Sequence, residues 1–364
     1  MQLQFFPSRT VTLYTARMFL VRSFAVLAGL VLILTMLDLL GESDRILGYP
    51  GNGEPQLWTY VGLRVPQIVA RFLPFSVLLG TLITLITLNQ NSEVISMKAS
   101  GLSAHQILAP LIVAGLFVAG ISFVFNERVV ARSTATLTAW QKANYGPLPK
   151  SSTVLSNLWV RNGEDLIRAE RAIGRGRDTR LEGIAIYDRT GNTLSQIIEA
   201  KEGQYIDGAW RLTGARRFDV GTGTEKELGT VMAARGVSPD RFTLANIDAD
   251  GLSFIQLRQA VEDLKAAGRP TKSLEASLWH KISGPLSAVL MPLLGAVAGF
   301  GLARSGKLFV RAVIGMGLGF AYFVADNFSL AMGNLGAYPP LLSAWAPFLL
   351  FLLIGETVLV RTEE

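Results

Sequence analysis

Cysteine is absent from this chain of 364 residues, and histidine occurs only twice, as His105 and His280. The absence of cysteine excludes disulfide bonds and thiolate metal sites. Neither histidine belongs to an H-E-x-x-H pattern, so a zinc protease of that type is excluded as well. His280 stands beside Lys281 at a predicted membrane boundary, and we expect it to be interfacial and not catalytic.

Charge is scarce at both ends of the chain. There are 34 Lys and Arg and 28 Asp and Glu residues, and 41 of these 62 lie between Glu127 and Glu275. Half of all residues are hydrophobic, and the mean hydropathy is +0.36. This distribution predicts that the two ends lie in lipid and the middle lies in water. The net charge of +6 does not indicate nucleic-acid binding, because much of the basic excess lies at the ends of predicted membrane helices.

Six apolar stretches are long enough to cross a bilayer, which takes about 20 residues. The first lacks a small-residue cleavage site and is therefore predicted to be a retained helix. The fifth and sixth are separated by Gly333–Pro340, a turn rich in Gly and Pro that breaks helix. The six stretches are residues 12–40, 72–90, part of 99–126, 282–303, 308–330 and 341–360.

The basic residues near these stretches predict the orientation of the chain. With the N-terminus inside, the short outer segments hold only Arg45, Arg64 and Arg71. Both termini are then cytoplasmic, and residues 129–275 lie outside, which is the periplasm in a bacterium with two membranes. The cytoplasmic segments hold Arg9, Arg17, Arg22, Lys98, Arg304, Lys307, Arg311 and Arg361.

The charged block contains short alternating runs separated by turn signals. The turns at residues 161–164 (RNGE) and 207–208 (DG) are each flanked by apolar residues, which is typical of β-hairpins. The block is therefore predicted to be a β domain, built as a sandwich, a jelly roll or an open barrel. At about residues 253–267 the apolar spacing becomes helical. The chain thus divides into residues 1–128, 129–275 and 276–364.

Residues 301–307 (GLARSGK) match most of a nucleotide-binding P-loop. The next residue is Leu308, so the hydroxyl that should ligate Mg²⁺ is missing, and a membrane span precedes the segment where a strand is needed. We interpret it as a basic cytoplasmic turn. Any ATP hydrolysis linked to this chain must come from another polypeptide.

The segment at about residues 91–102 (NSEVISMKASGL) links the second and third spans on the cytoplasmic side. Ser92 is placed to cap a short helix and Gly101 to end it. An exposed helix with the acid Glu93, the apolar pair Val94 and Ile95, and Met97 suits a partner's groove. An ordinary loop is the alternative.

Asp326 lies near the outer end of the fifth span. A carboxylate inside a membrane is costly and indicates function. Within a turn of the interface it is equally compatible with solvation, so both interpretations stay open.

Several segments resemble the lipopolysaccharide export permeases, the LptF/LptG family. Residues 92–101 are similar to that family's coupling helix, 126–130 to the exit of its third span, and 278–282 to the start of its fourth. Gly336–Pro340 and the following Trp345 are similar to its sixth span, and Tyr322–Asn327 leans toward the LptG branch. The resemblance covers nearly the whole chain.

This resemblance implies an α-helical membrane protein of six transmembrane helices with an inserted periplasmic β-jelly-roll-like domain. Its function would be that of a permease subunit of an ABC transporter, which extracts lipopolysaccharide from the inner membrane toward a periplasmic bridge. The implied partners are an LptF-like sister permease, an LptB-like cytosolic ATPase dimer, a single-span LptC-like jelly-roll subunit and membrane lipids. The chain itself would bind no cofactor, and the partner ATPase would use ATP and Mg²⁺.

The resemblance also implies roles for individual residues. Glu93 would be the acid of the coupling helix, which also includes Ser92, Val94, Ile95, Met97, Lys98 and Gly101. Members of the family can carry lysines at the outer end of span one, whereas residues 35–45 here are more acidic than basic. Candidates for the lipid headgroup are therefore chosen by position alone, as Arg45, Arg64, Arg71, Arg128 and Arg132.

Two other functions remain open from the sequence. An ion-driven secondary transporter would need ionisable residues at mid-membrane, and only Asp326 comes near that position. A non-transporting scaffold that transmits force from a cytosolic ATPase would share the coupling helix, with no need for a lipid-sized cavity.

Overall fold

A computed structural model describes residues 7–147, 154–173, 179–190, 193–239, 242, 248–266, 269–299 and 308–361. The chain forms two compact units. A helical unit contains Met1–Gly48, Asn52–Thr134 and Ala249–Glu364, and a β unit contains Tyr49–Gly51 and Ala135–Asp248.

The helices are numbered in chain order. A π-helical turn, Asn126–Val130, joins α4 to α5 without interrupting the helix. The bounds are α1 Arg9–Leu47, α2 Glu54–Gln90, α3 Glu93–Ala99, α4 Ala104–Phe125, α5 Ala131–Lys142, α6 Phe254–Ala266, α7 Lys272–Gly299, α8 Leu308–Asn334 and α9 Pro340–Arg361.

Five helices in the described part of the chain are long and apolar enough to cross a membrane. They are α1, α2, the continuous helix Ala104–Lys142, the Ala312–Asn334 part of α8, and α9. The predicted fourth span coincides with α7, which is not among the five. The last residues of the predicted span, 300–303, lie outside the described residues. So does the 301–307 turn with Arg304 and Lys307.

The helical unit has one continuous apolar core. Most of its residues come from α2, α4 and α7, and α1 contributes only Phe19 and Leu27 to its fully buried part. The buried residues in the first part of α1 are Thr15, Phe19, Ser23 and Leu27. A spacing of four places them on one narrow face. Partly buried residues beside that face also pack against the core, namely Ala16, Met18, Leu20 and Val31.

Gly80 of α2 allows α1 to come very close. A Cβ atom at Gly80 would lie 2.1 Å from Ser23 Oγ and 2.7 Å from Ser23 Cα. Only a residue without a side chain fits there, because backbone and not merely a flexible side chain would be in the way. Small residues permit such close packing between membrane helices.

The described residues of the β unit form one antiparallel sheet of six strands, in which each strand pairs with the next along the chain. Both predicted hairpins are present. Asn162 pairs with Asp165 across a turn in which Gly163 has φ +65°. Asp207 and Gly208, both with positive φ, join the fourth strand to the fifth. The strands are β1 Val154–Asn162, β2 Asp165–Ile173, β3 Arg180–Thr190, β4 Thr193–Ile206, β5 Ala209–Asp219 and β6 Thr224–Ala233.

This sequential order is that of a meander. A jelly roll alternates between two sheets through long connections, and the described strands do not show that order because short turns join most of them. The inserted β domain is thus confirmed, and the jelly-roll arrangement is not shown. Trp210 and Phe242 pack edge to face at 5.3 Å in its core, and the Trp210 indole donates to the Val237 carbonyl.

The helix predicted at about residues 253–267 is α6, and the Ser253 hydroxyl caps it by accepting from the Gln256 amide. The chain then returns to α7. There the Thr271 hydroxyl and the Lys265 ammonium hold the pKa of the Glu275 carboxylate below its ordinary value. Although the sequence pattern groups α6 with the charged block, it belongs to the helical unit.

Candidate functional site

The segment between α2 and α4 contains the short helix predicted there. It is α3, seven residues long. Ser92 was predicted to cap it, and that prediction is wrong: the residue has φ +60° and its side chain makes no capping hydrogen bond. The left-handed conformation turns the chain sharply after α2, and the Ser92 hydroxyl does not point at the free amides of α3.

The end of α3 agrees with the prediction. Gly101 has φ +87°, its amide donates to the Lys98 carbonyl, and the Leu102 amide donates to the Met97 carbonyl. This pattern of reversed bonds at a left-handed glycine is the usual way to end a helix.

The apolar residues of α3 divide between two faces. Val94 is 4% exposed and belongs to the core of the helical unit, and Met97 packs against the same core. Ile95 is 46% exposed. The expectation that Val94, Ile95 and Met97 form one exposed knob is therefore wrong, since neighbouring residues on a helix point about 100° apart. Val94 anchors the helix and Ile95 faces outward.

Glu93 is the first residue of α3, and its carboxylate accepts two hydrogen bonds. Its Oε1 atom accepts from the Tyr14 hydroxyl at 3.3 Å and from the Asn91 side-chain amide at 3.3 Å. Tyr14 lies on α1, 79 positions earlier. No local signal in the sequence pointed to this tyrosine, because the pairing depends on how α1 packs.

Two further polar contacts join α1 to α2. Nearer the start of α1, Arg22 donates from Nη1 to the Ile83 carbonyl at 2.8 Å. Nearer the other end, Asp38 accepts from Arg64 at both oxygens, at 2.8 and 2.9 Å, and from the Tyr60 hydroxyl at 2.6 Å. A two-pronged guanidinium–carboxylate pair of this kind fixes orientation as well as distance.

The headgroup candidates are therefore not equivalent. Arg64 is engaged by Asp38, and its Nη1 also donates to Gln67 at 2.8 Å. Arg45 pairs with Glu42 at 3.1 Å. The remaining three candidates, Arg71, Arg128 and Arg132, are exposed and have no hydrogen-bond or ion-pair partner within the described residues.

Asp326 is paired. Its Oδ2 lies 2.9 Å from His280 Nε2, and the two side chains are 13% and 27% exposed. This joins α8 to α7. His280, predicted to be an interfacial residue, is thus the partner of the carboxylate that the sequence singled out in the fifth span.

Glu127, in the π-helical turn, contacts the start of α6. Its two carboxylate oxygens accept from the Phe254 amide at 2.5 Å and the Ile255 amide at 3.4 Å. A carboxylate at a helix N-terminus satisfies free amides and is favoured by the helix dipole. Sequence reasoning missed this contact, which spans 127 positions.

Comparison with known proteins bears on the whole chain. The family model of the lipopolysaccharide export system permease LptF/LptG matches residues 13–361, which includes both units. The chain belongs to this family.

Curated relatives agree with the family. The lipopolysaccharide export system permease protein LptG of Escherichia coli (strain K12) is 29% identical over 311 residues, covering 83% of this chain and 84% of that protein. The protein of the same name from Haemophilus influenzae is 24% identical over 326 residues, covering 86% and 89%. This LptF/LptG family member is therefore similar to LptG proteins along most of its length, as the residues at 322–327 predicted.

Proposed function

We propose that this chain is a permease subunit for lipopolysaccharide export in a bacterial inner membrane. The observation that carries the proposal is the family match over residues 13–361, which includes the long apolar helices and the inserted sheet. A multi-pass membrane protein with a separate water-facing domain suits a lipid that must leave one membrane and continue through an aqueous space.

In this proposal α7 is the fourth of six spans. Both termini are cytoplasmic, as the distribution of basic residues predicts. Residues of about 129–275 are periplasmic, and the meander of β1–β6 is part of a jelly-roll-like domain that receives the lipid. Its edge strands β1 and β6 suit handover to another domain by strand addition.

The energy for lipid extraction comes from a separate protein. Pulling a lipid out of a bilayer opposes roughly 0.8 kcal/mol for each buried methylene, so a lipid with several acyl chains requires an energy source. We assign this energy supply to an LptB-like ATPase dimer that uses ATP and Mg²⁺. An LptF-like sister permease and an LptC-like subunit complete the complex.

Helix α3 is the contact with that ATPase. Val94 holds it to the core, while Ile95 and the partly exposed Lys98 remain on the outside with the Glu93 carboxylate. An anchored helix with an outward apolar residue and charges fits a groove in a partner. The anchoring makes α3 able to transmit force, because a freely hinged loop would absorb the displacement.

The phosphates of the lipid head require cations at the outer surface. Arg71, Arg128 and Arg132 are exposed and have no partner among the described residues, so they are the arginines best placed to contact phosphate in pairs of hydrogen bonds. Arg45 remains a further candidate, and Arg64 serves chiefly to hold Asp38.

The test is transport by the purified complex. The chain is co-expressed with its sister permease, ATPase and single-span subunit, and reconstituted in vesicles that contain lipopolysaccharide. We expect ATP-dependent release of lipid to an added periplasmic acceptor, and no release with a non-hydrolysable ATP analogue. ATP hydrolysis without any lipid release would support the scaffold alternative and overturn the proposal.

The Asp326–His280 pair is an observation that favours an ion-driven transporter. The same vesicles separate the two mechanisms. Lipid release driven by an imposed pH gradient in the absence of ATP would require the ion-driven mechanism, whereas the ATPase mechanism predicts no release under that condition.

A further inference from the structure

Glu93 has two carboxylate oxygens, and they are used differently. Oε1 accepts from Tyr14 and Asn91, each at 3.3 Å. Oε2 has no hydrogen bond within the described part of the chain. A carboxylate offers about four lone-pair positions in all, so Glu93 retains acceptor capacity on the side that is not tied to α1.

We infer that Glu93 is a bridging carboxylate, with Oε1 tied to α1 through Tyr14 and Oε2 available to a basic group of the ATPase. Tyr14 is then the positioning residue that carries the movement of α3 to α1. This inference rests on the proposed function. It concerns how a conformational change of the ATPase is transmitted to α1.

The attachment of α1 makes such a link effective. Toward the cytoplasmic end the helix is held on a narrow face, with Leu13 and Tyr14 about half exposed. Further along, the close contact of Ser23 with Gly80 leaves no room for α1 to approach or slide past α2. A sideways displacement at Tyr14 therefore tilts α1 about the Ser23–Gly80 contact instead of translating it.

The turn that precedes α3 has a left-handed backbone. Ser92, with φ +60°, separates the end of α2 from Glu93, and a non-glycine residue in this region is a strained connection. Glu93 follows that residue directly. A rotation of α3 at Ser92 consequently moves the Glu93 carboxylate, and with it the Tyr14 hydroxyl.

The first test removes only the donor. Tyr14→Phe keeps the ring and loses the hydroxyl, and the variant is studied in the complete complex in lipopolysaccharide vesicles. We expect the complex yield to be unchanged and ATP hydrolysis to stay within about twofold of the unmodified complex. The amount of lipid released per ATP should fall about fivefold, which is the size of effect expected from the loss of one hydrogen bond. A merely structural tyrosine would alter yield or melting temperature and leave the ratio of lipid to ATP unchanged.

Two variants serve as comparisons. Tyr338→Phe removes a similarly exposed hydroxyl far along the chain, between α8 and α9, and should leave the lipid-to-ATP ratio unchanged. Asn91→Ala removes the other 3.3 Å donor to the same oxygen without touching α1, and should lower the ratio less than Tyr14→Phe does.

The results distinguish a failure of the inference about Tyr14 from a failure of the proposed function. A Tyr14→Phe complex with the unmodified lipid-to-ATP ratio overturns the inference and leaves the proposed function standing, because the unmodified complex transports in the same experiment. An equal loss in Asn91→Ala and Tyr14→Phe also overturns it, since the link to α1 would then have no special effect. An unmodified complex that releases no lipid overturns the proposed function and the inference together.

Discussion

Helices α1 and α2 are nearly equal in length, at 39 and 37 residues, and both are apolar enough to span a membrane, yet they are packed very differently. About 11% of the most apolar stretch of α1 is buried inside the protein, against 56% for α2. In a membrane, apolar side chains face lipid as readily as they face each other. Apolar sequence therefore predicts a span, and it does not predict which span forms the core.

The difference determines how each helix is held. Apolar packing on most sides holds α2, whereas a narrow apolar face and a few polar contacts to α2 and α3 hold α1. A helix attached in this way can tilt without opening the core. We expect α1 to be the more mobile of the two, and the following substitutions test that comparison in order of decreasing effect.

The largest effect is expected where the two helices touch. Gly80→Ala places a Cβ 2.7 Å from Ser23 Cα, which forces α1 away from α2, and we expect the free energy of unfolding to fall by about 3 kcal/mol. Unfolding in mixed micelles with a rising fraction of sodium dodecyl sulfate measures it. Gly29→Ala on α1 is the matched control, because no atom beyond its own stretch of helix lies within 4 Å of its Cβ position. The stability of this variant should be unchanged or slightly higher. Equal losses in both would show that the close contact is not decisive.

A smaller effect is expected from side-chain truncation. Leu85→Ala on α2 removes a completely buried side chain and leaves a cavity, which should cost about 2 kcal/mol, at the lower end of values for soluble cores since lipid replaces water as the reference. Leu37→Ala on α1 removes a side chain that is 62% exposed and should cost less than about 0.5 kcal/mol. The same micelle titration compares them. If Leu37→Ala were as costly, α1 would not be the peripheral helix.

The smallest effect concerns the polar contacts of α1. Asp38→Asn keeps the shape and weakens both bonds to Arg64, which should lower the unfolding free energy by about 1.5 kcal/mol. Glu42→Gln, one turn later on the same helix, affects an exposed pair with Arg45 and should cost less than about 0.5 kcal/mol. The same micelle titration gives both values. A neutral Asp38→Asn would mean that apolar packing alone holds the second half of α1.

Local features were predictable from the sequence. The hairpin turns at Gly163 and Gly208, the start of α6 at Ser253 and the end of α3 at Gly101 depend on the conformations of a few adjacent residues. Turn and cap residues act through neighbouring backbone, so a short window contains all the necessary information.

The wrong predictions about α3 have the same physical origin as the contacts that the sequence did not predict. Val94 and Ile95 looked like one apolar pair because they are adjacent, but adjacency on a helix separates them onto different faces. Ser92 looked like a cap because of its type, but its left-handed backbone directs it elsewhere. The surroundings of α3 determine that Val94 is buried and Ile95 is exposed, and no short window shows those surroundings.

By itself the sequence determined that this protein has apolar ends and a charged middle, the positions of most spans, the presence of a β insertion and the family to which it belongs, because each depends on composition or on short ordered patterns. Only the tertiary structure decided that Tyr14 reaches Glu93, that Asp38 occupies Arg64, and that Glu127 caps α6. These partners lie 79, 26 and 127 positions apart. A hydrogen bond requires donor and acceptor within about 3.5 Å, and for residues this far apart only the packing of whole helices brings that about.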